Sequence, residues 1–186
     1  MAVNLAKHYF TVSEYERMGQ SGIFAPDARV ELIEGQIIEM SPIGSRHAAC
    51  VEAAADAIRE SVQRKFFVRT QNPIILDDFS EPQPDITVLV FREDYYRGGH
   101  PRPQDVLIVI EVSDTTYAFD RNVKIPLYAR AGIGEALIFN LPEEQLEFYS
   151  QPETGVYQSR ITLRRGDRFE SAVVSGVTLD VDTILG

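Results

Sequence analysis

One segment constrains the fold more than any other. Asp105 to Val112 (DVLIVIEV) is a nearly continuous apolar run, which is typical of a β-strand buried on both faces. Asp85 to Phe91 (DITVLVF) predicts a second strand, rich in β-branched residues and entered through a turn with two prolines. A sheet buried on both sides needs helices over its faces. The two runs therefore predict a sheet flanked by helices.

The rest of the chain supplies these helices and more strands. Thr11 to Met18 opens with a capping box, and Gly44 to Gln63 is alanine-rich with apolar residues at helical spacing. Asp120 to Ala131 predicts a helix that Pro126 must begin or kink. Strands are predicted at Phe66 to Thr70, Ile74 to Leu76, Glu135 to Asn140, Gln145 to Tyr149 and Tyr157 to Leu163, with a hairpin in Arg29 to Met40. We expect an α/β protein of the mixed α+β kind, with an antiparallel C-terminal extension and one domain over residues 1–186.

Composition sets limits on function. With 18 basic and 28 acidic residues, the formal net charge is −10. A protein that binds nucleic acid by neutralising phosphates usually has a basic face, so this charge counts against tight, non-specific DNA binding. Bound divalent cations can nevertheless reverse the local field at a site.

Nothing in the sequence predicts a membrane or secreted protein. No apolar run approaches the ~20 residues that cross a bilayer, and one cysteine, Cys50, cannot form an intramolecular disulfide. We expect a cytoplasmic location and no membrane partner.

Two acidic residues are placed for metal binding. Asp85 follows a proline at the start of its strand, and Glu111 closes an otherwise apolar strand. A buried glutamate needs a partner or a metal. If the strands are neighbours, the two carboxylates converge at one end of the sheet, where Mg²⁺ accepts such ligands. The carbonyl of Val112 is a further candidate ligand, and Mn²⁺ is an alternative ion.

A lysine on the next helix completes the candidate site. Asp120, Lys124 and Tyr128 are spaced i, i+4 and i+8, so they share one helical face. Two carboxylates, a cation and a lysine suit phosphodiester hydrolysis. Two alternatives stay open. One is that Asp85 is only a turn residue, and the other is that Lys124 only pairs with Asp120 on a solvated face.

At this point the chain resembles a known family. The similarity lies in Glu81 to Asp85 (EPQPD), Val106 to Ser113 (VLIVIEVS) and Asp120 to Gly132 (DRNVKIPLYARAG), and it extends from Val30 to Gly186. These segments resemble the Uma-type family, a bacterial group of restriction-endonuclease-like proteins in the PD-(D/E)XK nuclease superfamily. The resemblance implies a restriction-endonuclease-like core. It makes Asp85 and Glu111 the acidic motif residues.

The resemblance also implies a displaced lysine. Ser113 stands where the superfamily has its lysine, so Lys124 would replace that residue from the helix. The family pattern further favours Glu31 and His47 as site residues over Glu52. Each also has a purely structural alternative. Glu31 would be one charge of a charged hairpin, and His47 would only pack at the start of its helix. Asp114 and Asp120 would support the site.

The leading hypothesis is a magnesium-dependent endonuclease that hydrolyses DNA. The alternative is a non-catalytic module on the same fold that binds nucleic acid or protein. A hydrolase of another phosphoester, such as a nucleotide, ranks third. A homodimer is plausible because many nucleases of this fold pair to reach both strands. The loop from Phe91 to Arg102 is the best local candidate for contact with a partner, against an ordinary exposed loop.

Overall fold

The computed structural model describes residues 6–62 and 65–186 and is built on a six-stranded mixed sheet. The helices are α1 (Val12–Gln20), α2 (Ser45–Val62), α3 (Tyr117–Phe119), α4 (Ile125–Arg130) and α5 (Val181–Leu185). The strands are β1 (Val30–Ile33), β2 (Gln36–Glu39), β3 (Phe66–Thr70), β4 (Ile86–Val90), β5 (Val106–Ser113), β6 (Glu135–Asn140), β7 (Gln145–Glu153), β8 (Val156–Leu163), β9 (Arg168–Glu170) and β10 (Thr178–Asp180).

The order of the sheet is β3-β4-β5-β6-β7-β8, and β1-β2 and β9-β10 form separate two-stranded sheets. Every neighbouring pair in the large sheet is antiparallel except β5 and β6, which are parallel. Parallel neighbours need a crossover connection. The segment with α3 and α4 is that crossover, and it leaves β5 at the end where Glu111 lies.

Apolar layers cover both faces of the sheet. Helices α2 and α5 and the β9-β10 hairpin pack against one face, with Ile58, Ile108, Ile110 and Phe169 fully or almost fully buried. Helix α4 and the loop that holds Tyr96 cover the other face. Within the described part of the chain, no helix combines the length and apolar character needed to cross a bilayer.

Two local predictions were wrong. Ile74 to Leu76 is not a strand: the N–H groups of Ile74 and Leu76 donate to Pro82 and Ser80, whereas Ile75 donates to Pro101. The N–H groups of this segment thus bond to two different loops, and no β-ladder forms. The helix predicted from Asp120 to Ala131 is divided into a π-helical turn, Asp120–Lys124, and α4. Gln63, the predicted last residue of the long helix, lies outside the described residues.

The hairpin predicted in Arg29 to Met40 is present as β1 and β2. Glu34 and Gly35 both have positive φ, 48° and 75°, as a two-residue type I′ hairpin requires. A Cβ atom at Gly35 would lie 2.6 Å from Cβ of Tyr9. Glycine is therefore required here for its backbone conformation and for the close approach of the chain before α1.

Replacing Gly35 with alanine tests this packing. We expect Gly35→Ala to lower the free energy of unfolding by about 2–4 kcal/mol, because alanine disfavours the left-handed backbone and its Cβ would overlap with Tyr9. Gly19→Ala in α1 is the control, because a Cβ there meets nothing within 4 Å; it should be neutral or slightly stabilising. Urea denaturation of both variants measures the difference, and equal stability of Gly35→Ala and the parent protein would contradict the assignment.

A buried carboxyl in the loop before β4 makes stability depend on pH. Glu81 is 5% exposed, and its Oε2 has no hydrogen-bond partner in the described structure. Burial raises the pKa of Glu81 to about 7. The folded state then holds this proton to a higher pH than the unfolded state, so stability falls as the pH rises from the unfolded pKa through the folded one.

Glu81→Gln should remove this dependence. Between about pH 4.5 and 7 we expect the parent protein to lose on the order of 1–2 kcal/mol relative to the variant, after allowance for screening by solvent. Thermal melts of both proteins across this range measure the difference. Parallel curves would show that Glu81 has no shifted pKa.

Candidate active site

The register of β4 and β5 brings the two acidic motif residues to one end of the sheet. Ile86 lies opposite Ile110, so Asp85, just before β4, faces the last residues of β5. The N–H of Val112 donates to Oδ2 of Asp85 at 2.9 Å. The side chain of Glu111 leaves β5 on the face that α4 covers, and it is 3% exposed. The structure thus brings Asp85, Glu111 and Val112 together.

Lys124 lies buried between two carboxylates. Its Nζ is 3.1 Å from Oε2 of Glu31 and 3.3 Å from Oε1 of Glu111. The side chain is 5% exposed, so Lys124 is not on a solvated face. Glu31 reaches this point from β1, where its Oε2 also accepts the N–H of Gln83 at 3.0 Å. Three elements that are distant in sequence therefore meet at one ammonium group.

The π-helical turn sets the direction of Lys124. The N–H of Ile125 donates to the carbonyl of Asp120, which is the i to i+5 pattern of a π-turn. Pro126 has no N–H and stands at the start of α4, so it cannot complete an α-helical bond to the turn before it. Lys124 and Tyr128 both contact Glu111, and Tyr128 donates its hydroxyl to Oε1. The shared face that their spacing predicts is present despite the wider turn.

His47 orients Asp85. Its Nε2 lies 3.1 Å from Oδ2 of Asp85, from the first turn of α2. The other ring nitrogen, Nδ1, is buried without a hydrogen-bond partner in the described structure. Gln71 donates from its side chain to Oδ1 of Asp85 at 3.3 Å. Glu52, the other acidic candidate on α2, is exposed and does not line the site.

Ser113 and Asp120 form a second polar contact beside the first. The hydroxyls of Ser113 and Thr116 donate to Oδ2 of Asp120 at 2.7 and 2.6 Å. Asp120 is 4% exposed. Ser113, which stands where a lysine is expected, thus anchors the turn that carries Lys124. Asp114 lies at the rim of the same cavity and is exposed.

Burial and neighbouring charges shift the pKa values of the titratable groups in opposite directions. Burial raises the pKa of Glu111 well above its ordinary value, although Lys124 opposes this shift. Burial also disfavours the ionised form of Asp85, but the hydrogen bonds from His47 and Val112 outweigh it and lower its pKa. For Lys124, burial is outweighed by Glu111 and Glu31, so the pKa of its ammonium is raised. The hydrogen bond to Asp85 raises the pKa of His47.

These groups line a cavity of about 410 Å³. Its walls are the β1-β2 hairpin, the segment before α2, the end of β5 and the crossover helices. The residues that line it are Arg29, Glu31, Ile38, Glu39, Met40, Ser41, Pro42, Ile43, Gly44, His47, Gln83, Asp85, Glu111, Val112, Asp114, Thr115, Thr116, Phe119, Asp120 and Lys124. The loop from Phe91 to Arg102 contributes no lining residue.

The cavity offers few protein ligands for a hard divalent cation. In the residues described, no three His, Cys, Asp or Glu side chains are grouped closely enough to hold a metal ion. One oxygen of each motif acid still has free capacity: Oδ1 of Asp85 receives only the 3.3 Å bond from Gln71, and Oε2 of Glu111 is neither hydrogen-bonded there nor fully enclosed. The carbonyl of Val112 lies beside its N–H on the same strand edge. One or two carboxylates, a carbonyl and water are what Mg²⁺ commonly accepts.

Sequence reasoning missed several groups that shape the site. Tyr128 was placed on the correct face, but its bond to Glu111 was not predicted. Gln71 and the N–H of Gln83 come from loop positions whose contacts depend on how distant segments pack. Arg29 was missed too, although it immediately precedes a strand that supplies Glu31.

Comparison with solved structures first shows the fold. A crystal structure titled as "a putative nuclease belonging to DUF820", from Anabaena variabilis ATCC 29413, superposes with a TM-score of 0.71 at 17% sequence identity, covering 95% of this chain and 97% of that one. At this identity the match shows a shared mixed α/β fold and nothing about activity. No curated protein matches the sequence significantly.

The family follows from the sequence. A family model named Uma2, described as "Putative restriction endonuclease", matches residues 12–182. The chain therefore belongs to the Uma2 family, and the resemblance inferred from its motifs is confirmed.

Removing the buried ammonium tests the arrangement at the centre of the site. We expect Lys124→Met to lower the free energy of unfolding by about 3–5 kcal/mol at pH 8, because Glu31 and Glu111 would lose their shared partner. Adding Glu111→Gln should restore part of this loss, since one uncompensated charge disappears. Denaturant titrations of the two single variants and the double variant measure the coupling. Strictly additive effects would show that Lys124 and Glu111 do not interact.

Proposed function

We propose that this protein is a divalent-metal-dependent endonuclease that hydrolyses phosphodiester bonds in DNA. The observation that carries the proposal is the position of Lys124, buried against Glu31 and Glu111 at the sheet end where Asp85 also lies. Membership of a family described as restriction endonucleases supports it. Mg²⁺ is the ion we expect, with Mn²⁺ as an alternative.

In this proposal Asp85, Glu111 and the carbonyl of Val112 hold the cation. His47 and the N–H of Val112 fix Oδ2 of Asp85, so Oδ1 is the oxygen left for a ligand. Tyr128 and Lys124 engage Oε1 of Glu111 and leave Oε2 in the same way. A divalent cation bound there would act as a Lewis acid toward a phosphoryl oxygen.

Lys124 acts as a cation and not as a base. Its raised pKa keeps the ammonium protonated across the physiological range. Such a group can orient a water molecule and stabilise the negative charge that develops on a phosphate under attack. Glu31, held by the N–H of Gln83, positions the ammonium and is a positioning residue.

The raised pKa of Glu111 fits a site that exchanges a proton for a cation. Burial disfavours the ionised form of Glu111, and Lys124 only partly offsets this. Four buried acids, Glu31, Asp85, Glu111 and Asp120, face one buried lysine. An added positive charge would relieve this imbalance.

A non-catalytic binding module is the second candidate. The net charge of −10 and the enclosure of Lys124 by two carboxylates favour it. Such a module would bind its partner with little dependence on metal, Asp85 or Glu111. Pairing of two copies and a cytoplasmic location stay predictions.

Cleavage assays separate the two candidates. We expect the parent protein to cleave plasmid and oligonucleotide DNA with Mg²⁺ or Mn²⁺ and to lose activity with EDTA. Asp85→Asn and Glu111→Gln should each lower the rate by at least about 10²-fold, because each removes a charged ligand.

Glu52→Gln is the matched control, since it removes an exposed carboxylate on α2 outside the cavity. It should cleave at the parent rate. Absence of cleavage by the parent protein with either ion, together with cation binding that Asp85→Asn leaves unchanged, would reject the enzymatic proposal.

A further inference from the structure

Arg29 stands at the rim of the cavity and is built into the hairpin that supplies Glu31. Its NH1 donates to the carbonyl of Ser41 at 2.9 Å, and its own carbonyl accepts the N–H of Met40 at 2.9 Å. The residue is half-buried and lines the cavity. The backbone of Arg29 is thus fixed by Met40, and its guanidinium is bound to the carbonyl of Ser41.

The cation of Arg29 has no acidic partner in the described parts of the chain. Two other arginines near the hairpin and α2 differ in this respect: Arg46 pairs with Glu144, and Arg130 pairs with Glu34. A guanidinium carries five N–H donors in a planar fork. A single hydrogen bond to Ser41 leaves most of this fork available.

Arg29 differs from the other basic residues of the cavity lining. These are His47 and Lys124, and each is engaged with a carboxylate, His47 with Asp85 and Lys124 with Glu31 and Glu111. Arg29 also lies close enough to His47 for its charge to act on that ring. It is therefore the basic side chain of the described lining that is not paired with a carboxylate.

We propose that Arg29 binds a phosphate group of the substrate at the mouth of the cavity and so positions the phosphodiester toward Lys124 and the two motif acids. The inference rests on the proposed function for its substrate class. A phosphate entering a cavity lined by many carboxylates is repelled unless a cation meets it, and Arg matches phosphate oxygens with two parallel N–H bonds. Arg29 thus acts as a substrate-binding residue.

Binding and cleavage are measured on the same set of variants. The probe is a fluorescent DNA duplex, studied by anisotropy with Ca²⁺ in place of Mg²⁺ at several KCl concentrations. The variants are Arg29→Gln, Arg29→Lys and Arg17→Gln, where Arg17 is an exposed arginine on α1 outside the cavity. Cleavage with Mg²⁺ then gives KM and kcat for each. Thermal melts check that the hairpin contact to Ser41 is not needed for folding.

We expect Arg29→Gln to weaken binding by about tenfold or more and to reduce the slope of log affinity against log salt by about one. Arg29→Lys should keep part of the affinity, because it retains the charge and loses the fork. In cleavage, KM should rise much more than kcat falls. Arg17→Gln should change affinity by less than about twofold.

The outcomes distinguish this inference from the proposed function. Cleavage by the parent protein with an unchanged KM and salt slope in Arg29→Gln would overturn the role of Arg29 and leave the endonuclease proposal intact. Binding that depends on Arg29 without any cleavage would support the phosphate contact and reject the endonuclease. A parent protein that neither binds nor cleaves DNA would overturn both proposals. An equal loss of affinity in Arg17→Gln would show that the effect of Arg29 is one of general charge and would overturn its role.

Discussion

The structure depends on the ion pairs of a single buried ammonium group. Lys124 reaches Glu31 on β1 and Glu111 on β5 from a turn in the crossover, and each of these charges would be costly to bury alone. The hairpin, the central sheet and the crossover are therefore held in register by electrostatics at one point, in addition to the apolar layers on both faces. Such a contact is a weak source of stability but a strong constraint on geometry.

The burial of this site also explains why the pKa values of its two motif acids differ. The apolar strand that makes β5 part of the core also removes water from Glu111, and this burial raises its pKa. Asp85 differs because its carboxylate accepts bonds from His47 and the N–H of Val112, which favour the ionised form. The pKa values of these two acids are thus shifted in opposite directions, a pattern that occurs more often at functional sites than in ordinary cores.

The sequence was most informative where burial and spacing act locally. The apolar strand around Glu111, the proline before Asp85 and the four-residue spacing of Asp120 and Lys124 were sufficient to predict that these groups face one end of the sheet. The π-turn was not predicted: the N–H of Ile125 bonds to the carbonyl of Asp120, and Pro126, which follows, has no N–H to donate. Gln71 and the N–H of Gln83 were also missed. Their contacts depend on how distant loops pack, and no local sequence pattern predicts that packing.

The acidic character of the chain and a phosphate-bearing substrate are compatible if the field is considered locally. Net charge governs solubility and the rate of encounter, whereas binding in a cavity depends on the few charges that line it. In this protein Lys124 is compensated by two carboxylates, so it contributes little attraction at the cavity mouth. Attraction of a phosphate then requires a bound cation at Asp85 and Glu111, the free guanidinium of Arg29, or both. An acidic surface elsewhere would disfavour non-specific contacts, so binding would be concentrated at this one end of the sheet.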